Sequence, residues 1–318
     1  YNAAISACEK GGQSAWAFGL METMRHTVVE LDVITYSAAV SSCQMGQSDM
    51  ALGLLREMQR SAIEMNVITC SAAISVCGKD GQTEWALEIL HGMQQRSLVP
   101  NFITFNAAIT ACEKGRQWKQ AIQLLGELRE QGFRPSVISF SAAMSACEKC
   151  GQWELALALL GELWCGGLQP DLVAYGAALS ACDKGGCWEL ALVLLAEMGR
   201  RGLEPNLITC NAAISACEKG HRPTWALGLL DEMRCLSLEP DIVSYTAALS
   251  ACSIGRHWLR ALVLLRKMRQ SGLEPNAITW VAVLRAGEHS GEPERVLELL
   301  GDMRRCWSRW GQHLSSAW

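Results

Sequence analysis

The sequence predicts an all-α fold made by stacking helix–turn–helix repeats. Three observations carry that prediction. A near-identical ten-residue phrase returns at a fixed interval, and each interval holds two apolar stripes at helical spacing. No segment alternates apolar and polar residues with the period of two that a strand needs. The phrase is NAAISACEKG at 2–11 and 211–220 and NAAITACEKG at 106–115. It varies to SAAMSACEKC from Ser141, GAALSACDKG from Gly176 and TAALSACSIG from Thr246.

Aligning Asn2, Ser37, Ser71, Asn106, Ser141, Gly176, Asn211, Thr246 and Val281 gives a step of 35 residues, with one step of 34 between Ser37 and Ser71. The missing residue falls in a turn, where CEKGGQSAWA (8–17) becomes CQMGQSDMA (43–51), so both helices keep their register. The fifth unit shows the elements in order. Phe140, Ala143, Met144 and Cys147 form one stripe at i, i+3, i+4, i+7, which ends at Lys149-Cys150-Gly151. Ala156, Leu159, Leu160 and Leu163 form the second, which stops near Gly166-Gly167. Pro170 cannot continue a helix and Asp171 can cap the next one. The units are 1–32, 33–66, 67–101, 102–136, 137–171, 172–206, 207–241 and 242–276. A ninth, 277–311, reads as a degenerate cap, and 312–318 as a tail. One helix pair cannot bury its stripes alone; stacked pairs share a continuous core.

The totals fit this architecture. Of 318 residues, 50% are hydrophobic and 19% charged, enough apolar material to fold. A net charge of −4 argues against a basic wrapper of nucleic acid. No apolar run reaches 18 residues, so no membrane partner is expected. Among fifteen cysteines, Cys8, Cys43, Cys77, Cys112, Cys147, Cys182, Cys217 and Cys252 recur once per repeat. Packed helices stand about 8–10 Å apart, whereas a disulfide needs Cα atoms within about 7 Å. The row therefore reads as small buried hydrophobes in a reducing compartment. Cys147 and Cys150 form one C-x-x-C with no second pair at zinc spacing, so no metal or other cofactor is expected. The six histidines are scattered and no phosphate-cradling loop appears, which predicts no enzymatic activity.

The phrases DVITYS (32–37), NFITFN (101–106) and DIVSYT (241–246), with the ending G-L-x-P-D/N, resemble the pentatricopeptide repeat family in its P-type, 35-residue form. The match runs from Tyr1 to about Met303. The tetratricopeptide family has a 34-residue period and a different Trp, Leu-Gly, Tyr signature. The resemblance implies a right-handed α-solenoid that binds single-stranded RNA, one base per repeat. That rule belongs to the family itself and does not follow from this composition. It also implies two base selectors per repeat, one near the start of the first helix and one at the repeat's last residue, and an aliphatic residue three before the first selector that packs on the base.

Carried over repeat by repeat, the couples are Asn2 with Asp32 (U), Ser37 with Asn66 (A), Ser71 with Asn101 (A) and Asn106 with Ser136 (C). They continue with Ser141 and Asp171 (G), Gly176 and Asn206 (little preference), Asn211 and Asp241 (U), and Thr246 and Asn276 (A). The implied target is 5′-UAACGNUA-3′. Base-sandwiching residues would be Ile34, Ile68, Ile103, Ile138, Val173, Ile208, Val243 and Ile278, all β-branched and stiff. Phosphate contacts would come from Lys10, Lys79, Lys114, Lys149, Lys184 and Lys219, weakest where Met45 and Ile254 interrupt the row. In the ninth unit Val281 and Gly311 replace the selectors. The family implies a monomer in plastid or mitochondrion, with possible protein effector partners and a role in RNA processing, stability or translation. Because the chain opens with Tyr1 inside a repeat, any targeting segment is expected outside it.

Blander readings stand beside these. A repeat-ending Asp, Asn or Ser also serves as a helix N-cap. Lysine near a helix C-terminus complements the dipole. Glu9, Glu113, Glu148, Glu218 and Asp183 fall seven residues after their selectors, an awkward place for acid beside RNA. With the net acidity, they motivate the alternative of a protein-binding α-solenoid without RNA. Trp16, Trp85 and Trp225, and separately Trp118, Trp153, Trp188 and Trp258, are expected to pack between helices or repeats.

Overall fold

The structure is a computed structural model that describes residues 1–27, 29–43, 46–288, 299–301 and 303. The degenerate ninth selector at Gly311, the tail 312–318 and Met45 lie outside them. Among the described residues the regular structure is entirely helical. The first helices are α1 (Asn2–Gly11), α3 (Val33–Ser42), α5 (Val67–Lys79), α7 (Phe102–Lys114), α9 (Val137–Lys149), α11 (Leu172–Gly185), α13 (Leu207–Lys219), α15 (Ile242–Ile254) and α17 (Ala277–Glu288). The second helices are α2 (Ser14–His26), α4 (Ser48–Arg60), α6 (Thr83–Gln95), α8 (Trp118–Glu130), α10 (Trp153–Cys165), α12 (Trp188–Arg200), α14 (Pro223–Cys235) and α16 (Trp258–Gln270).

The chain forms two compact units, Tyr1–Ala174 and Tyr175–Trp318. In the first unit α1 packs on α3, α3 on α5, α5 on α7 and α7 on α9. Each of α2, α4, α6 and α8 lies against the first helix of its own repeat and that of the next. The second unit repeats the pattern, with α13 on α15, α15 on α17, and α14 and α16 each touching two first helices. Alanine permits this close packing: Ala108, Ala111, Ala143 and Ala146 are fully buried, as are Ala213, Ala216, Ala248 and Ala251. This is the stacked-repeat α-solenoid fold the periodicity predicts.

Each first helix from α3 to α17 starts with a side-chain cap. Asp32, Asn66, Asn101, Ser136, Asn206 and Asp241 accept the backbone N–H of Thr35, Thr69, Thr104, Ser139, Thr209 and Ser244 through their side chains. Asp171 and Asn276 do the same for Ala174 and Thr279. Each such cap stabilises by about 1 kcal/mol. The short 34-residue step has its own support. Asp80, at the end of α5, reaches back to accept the backbone N–H of Gly46 and of Ser48, so it caps α4 from the following repeat.

The ladder cysteines are free thiols, and all but Cys8 are buried. Burial pushes the thiols of Cys43, Cys77, Cys147, Cys217 and Cys252 up to about 11, and those of Cys112 and Cys182 up to about 12. They behave as small hydrophobes rather than nucleophiles.

The tryptophans need a correction. Trp118, Trp153, Trp188 and Trp258 occupy the first position of their helices and are buried or half-buried. A β-carbon on Gly220 would collide with the Trp188 ring, so that glycine makes room for it. Trp16, Trp85 and Trp225 sit at the third position instead and are 69%, 37% and 53% exposed. The first position there belongs to Ser14, Thr83 and Pro223, all buried, which turns the indole outward. Two residues along a helix is 200°, enough to move a side chain from the packed face to solvent.

Candidate nucleic-acid interface

The second residue of every first helix from α3 to α17 is aliphatic and β-branched, and every one faces solvent. Ile34, Ile68, Ile103, Ile138, Val173, Ile208, Val243 and Ile278 are 58–68% exposed. Two residues further on, Tyr36, Phe105, Tyr175 and Tyr245 are at most 1% exposed. An apolar side chain left outside once per repeat, always at one position, has no packing partner that explains it.

Beside this row the structure brings the predicted couples together. Asn2 donates its amide N–H to Asp32 Oδ1 and Oδ2 at 3.1 and 3.0 Å. Asn211 donates to Asp241 Oδ1 at 3.2 Å, and Ser141 Oγ to Asp171 Oδ1 at 3.2 Å. The other couples meet through a third side chain. Ser37 Oγ and Ser71 Oγ lie 2.5 and 2.6 Å from Thr69 Oγ1 and Thr104 Oγ1, which donate to Asn66 Oδ1 at 2.8 Å and Asn101 Oδ1 at 2.9 Å. Ser139 Oγ donates to Asn106 Oδ1 at 2.6 Å and stands 3.1 Å from Ser136 Oγ. Thr246 Oγ1 is 2.9 Å from Thr279 Oγ1, which donates to Asn276 Oδ1. Gly176 offers no side chain, and Asn206 is half-buried beside it in sequence register only.

The couples are asymmetric in exposure. The serines predicted as selectors are nearly covered, at 9% for Ser37, 7% for Ser71 and 3% for Ser141, whereas every repeat-ending partner is half-buried or exposed. Across the second, third and fourth repeats a pocket of about 330 Å³ opens. Ile68 and Ile103 line it together with Ser71, Asn101 and Lys79. One pocket thus gathers two aliphatic walls and both members of one couple.

A model described as pentatricopeptide repeat domain matches residues 53–115, 107–149, 158–219 and 228–304, and a model of the single repeat matches 34–63, 138–168 and 208–238. The chain belongs to the pentatricopeptide repeat family. Similar solved structures include the maize pentatricopeptide repeat protein PPR10, 21% identical over 90% of this chain and 51% of that chain, with a TM-score of 0.56. PPR10 in complex with an 18-nt psaJ RNA element matches at 20% identity over 96% and 55% of the two chains, again with a TM-score of 0.56. The pentatricopeptide repeat domain of Arabidopsis thaliana protein-only RNase P 1, in complex with tRNA, matches at 14% over 57% and 95%, with a TM-score of 0.51. At these identities the likeness establishes the fold. The chain spans about half the length of PPR10. No curated protein matches the sequence.

Within this pentatricopeptide repeat frame the charges are arranged across repeats. Lys149 Nζ lies 2.7 Å from Glu113 Oε1, and Lys219 Nζ lies 2.9 Å from Asp183 Oδ1. The second is an ion pair without hydrogen-bond alignment, since Asp183 Oδ1 has no hydrogen-bond partner. Glu113 and Asp183 therefore each face the lysine of the following repeat, a role that sequence spacing alone left without an account. Lys10, Lys79, Lys114, Lys184 and Lys219 are exposed and Lys149 is half-buried. Burial pushes the Glu218 carboxyl above the usual carboxylate range, against a hydrogen bond from Ser250.

Two of the predicted selector carboxylates, Asp32 and Asp241, shift the other way. Burial opposes ionisation of Asp32 and Asp241, but hydrogen bonds outweigh it. The backbone N–H and hydroxyl of Thr35, with Asn2, hold Asp32 below the usual range; Ser244 and Asn211 do the same for Asp241. Both are ionised acceptors at neutral pH.

The sequence reading overlooked the row Thr35, Thr69, Thr104, Ser139, Thr209, Ser244 and Thr279, each at most 1% exposed. Its signal was present: a hydroxyl directly after the exposed aliphatic residue in seven of eight repeats, with Ala174 the exception.

Proposed function

We propose that the protein binds single-stranded RNA, one base per repeat, with the couples reading the base edge and the β-branched row flanking the base faces. The pocket lined by Ile68, Ile103, Ser71 and Asn101 is the observation that carries this reading. Cap geometry supplies the chemistry. In each repeat-ending Asp or Asn, Oδ1 accepts the backbone N–H that opens the next helix. The other terminal atom faces the ligand side of the couple: a carboxylate oxygen from Asp, which at Asp32 also accepts from Asn2, and an N–H donor from Asn. Asp then suits bases with a ring N–H on the pairing edge, U and G. Asn suits bases with a ring lone pair, A and C.

That sorting agrees with U for Asn2/Asp32 and Asn211/Asp241, G for Ser141/Asp171, and A for Ser37/Asn66, Ser71/Asn101 and Thr246/Asn276. Asn106/Ser136 is assigned C and Gly176/Asn206 no strong preference, which gives 5′-UAACGNUA-3′. A base edge left unpaired costs about 1–3 kcal/mol, so a wrong base is rejected. Lys10, Lys79, Lys114, Lys149, Lys184 and Lys219 supply phosphate contacts, Lys149 and Lys219 by leaving their acids. The array acts as a monomeric, non-catalytic factor on transcripts of plastid or mitochondrion, with 277–311 as its terminal cap. Binding to 5′-UAACGAUA-3′ and to a scrambled octamer over a salt series tests it. Tighter binding of the first is expected. Equal affinity for both would defeat the code, and retention of peptides with no RNA retention would favour a protein-binding scaffold.

A further inference from the structure

The buried hydroxyls that follow the aliphatic row do more than cap helices. We propose that they are positioning residues of the base-reading site, a third member behind each couple that sets which atom the first selector presents to the base. This rests on the RNA-reading proposal above and extends it to residues that touch no base themselves.

A capping role alone asks only that the hydroxyl accept the backbone N–H of the residue that opens the helix, as Asn101, Ser136, Asn206 and Asp241 show. The hydroxyls also turn toward the first selector of the preceding repeat. Ser139 Oγ donates to Asn106 Oδ1 at 2.6 Å. Thr35 Oγ1 shares its one proton between Asn2 Oδ1 at 2.8 Å and Asp32 Oδ1 at 2.7 Å, and Ser244 Oγ between Asn211 Oδ1 at 2.5 Å and Asp241 Oδ1 at 2.9 Å. Thr69, Thr104 and Thr279 meet the hydroxyls of Ser37, Ser71 and Thr246. Where the first selector is Gly176 and has nothing to offer, Thr209 Oγ1 instead donates to the backbone carbonyl of Asn206 at 2.9 Å. The selector contact is therefore made in addition to the contact with the capping side chain, and it is missing where the first selector is glycine.

An asparagine amide presents either C=O or N–H, depending on a half-turn about its last bond. A hydroxyl donor behind it decides the matter, because it draws Oδ1 inward and leaves Nδ2 facing out. At Asn2 and Asn211 the carboxylates of Asp32 and Asp241 reinforce that orientation. At Asn106 the Ser139 hydroxyl is the side chain that imposes it, since Ser136 bonds Ser139 and not the amide. With Nδ2 outward, Asn106 suits the ring lone pair of C. Freed, the amide could rotate and accept the ring N–H of U equally well.

The test measures affinity for 5′-UAACGAUA-3′ and its fourth-position U variant with wild type, Ser139→Ala and Ser139→Thr, all checked by circular dichroism. Wild type and Ser139→Thr should prefer C by roughly tenfold, the cost of one unpaired edge. Ser139→Ala should fall to within about twofold. A hydroxyl that only capped the helix would lower the melting temperature and all affinities alike, leaving the C-to-U ratio intact, and that result would overturn the inference. A wild type with no fourth-position preference would remove both the inference and the couple assignment beneath it. Should Ser139→Ala not fold, Ala174→Ser decides: it adds the hydroxyl that the Ser141/Asp171 couple lacks. It should raise the fifth-position preference for G over A severalfold, and an unchanged ratio would overturn the inference.

Discussion

Ile103 and Ile109 lie on the same helix, six residues apart, and changing each to alanine should separate stability from binding. Ile103 is 66% exposed and Ile109 is fully buried. Burying a whole isoleucine side chain stabilises by about 1.5–3 kcal/mol, so the covered third of Ile103 contributes at most about 0.5–1 kcal/mol. Alanine's better helix propensity returns part of that. Ile109→Ala removes core atoms and leaves a cavity, at about 2–5 kcal/mol. In binding the order reverses. Covering the exposed two-thirds of Ile103 with a base is worth about 1–2 kcal/mol. Ile103→Ala should therefore bind 5′-UAACGAUA-3′ about 5- to 30-fold more weakly. Fluorescence anisotropy gives the affinity and thermal denaturation the stability. Loss of stability in Ile103→Ala equal to that of Ile109→Ala would refute the reasoning. So would an unchanged affinity in a folded Ile103→Ala protein.

Two further outcomes follow from the charges. Asp241 has its pKa depressed in the fold, so its contribution is present in full above the unfolded carboxylate value of about 4 and fades as pH falls through the lower folded value. The difference in melting temperature between wild type and Asp241→Asn should hold from pH 7 to about pH 5 and shrink only below about pH 4; a difference that closes near neutrality would contradict the assignment. Glu113→Gln should release Lys149 from its 2.7 Å ion pair. The slope of log affinity against log salt should then steepen by roughly 0.7, one added phosphate contact on a single strand. An unchanged slope would place Lys149 away from the backbone path.

Much of the fold was legible because it is local. The stripe Phe140, Ala143, Met144 and Cys147 and the cap after Pro170 lie within a few residues of their consequences. The couples were legible only by resemblance, since Ser141 and Asp171 are 30 residues apart. Partners set by stacking were not legible. Glu113 and Lys149 are 36 residues apart and meet because one repeat lies against the next. Nor did a tryptophan row announce its side: Trp85 and Trp118 differ by two positions in their helices, and that alone decides which one faces out. The hydroxyl row looked like ordinary helix-start chemistry, because its contact with the previous selector exists only in three dimensions.

The exchange of one couple for another tests the central claim most directly. Asn211→Thr with Asp241→Asn rebuilds, in the seventh repeat, the Thr246/Asn276 arrangement already present in the eighth. Affinities for 5′-UAACGAUA-3′ and 5′-UAACGAAA-3′ should invert, from U preferred in wild type to A preferred in the double variant. A folded double variant that still prefers U, or a wild type indifferent between the two RNAs, would contradict it.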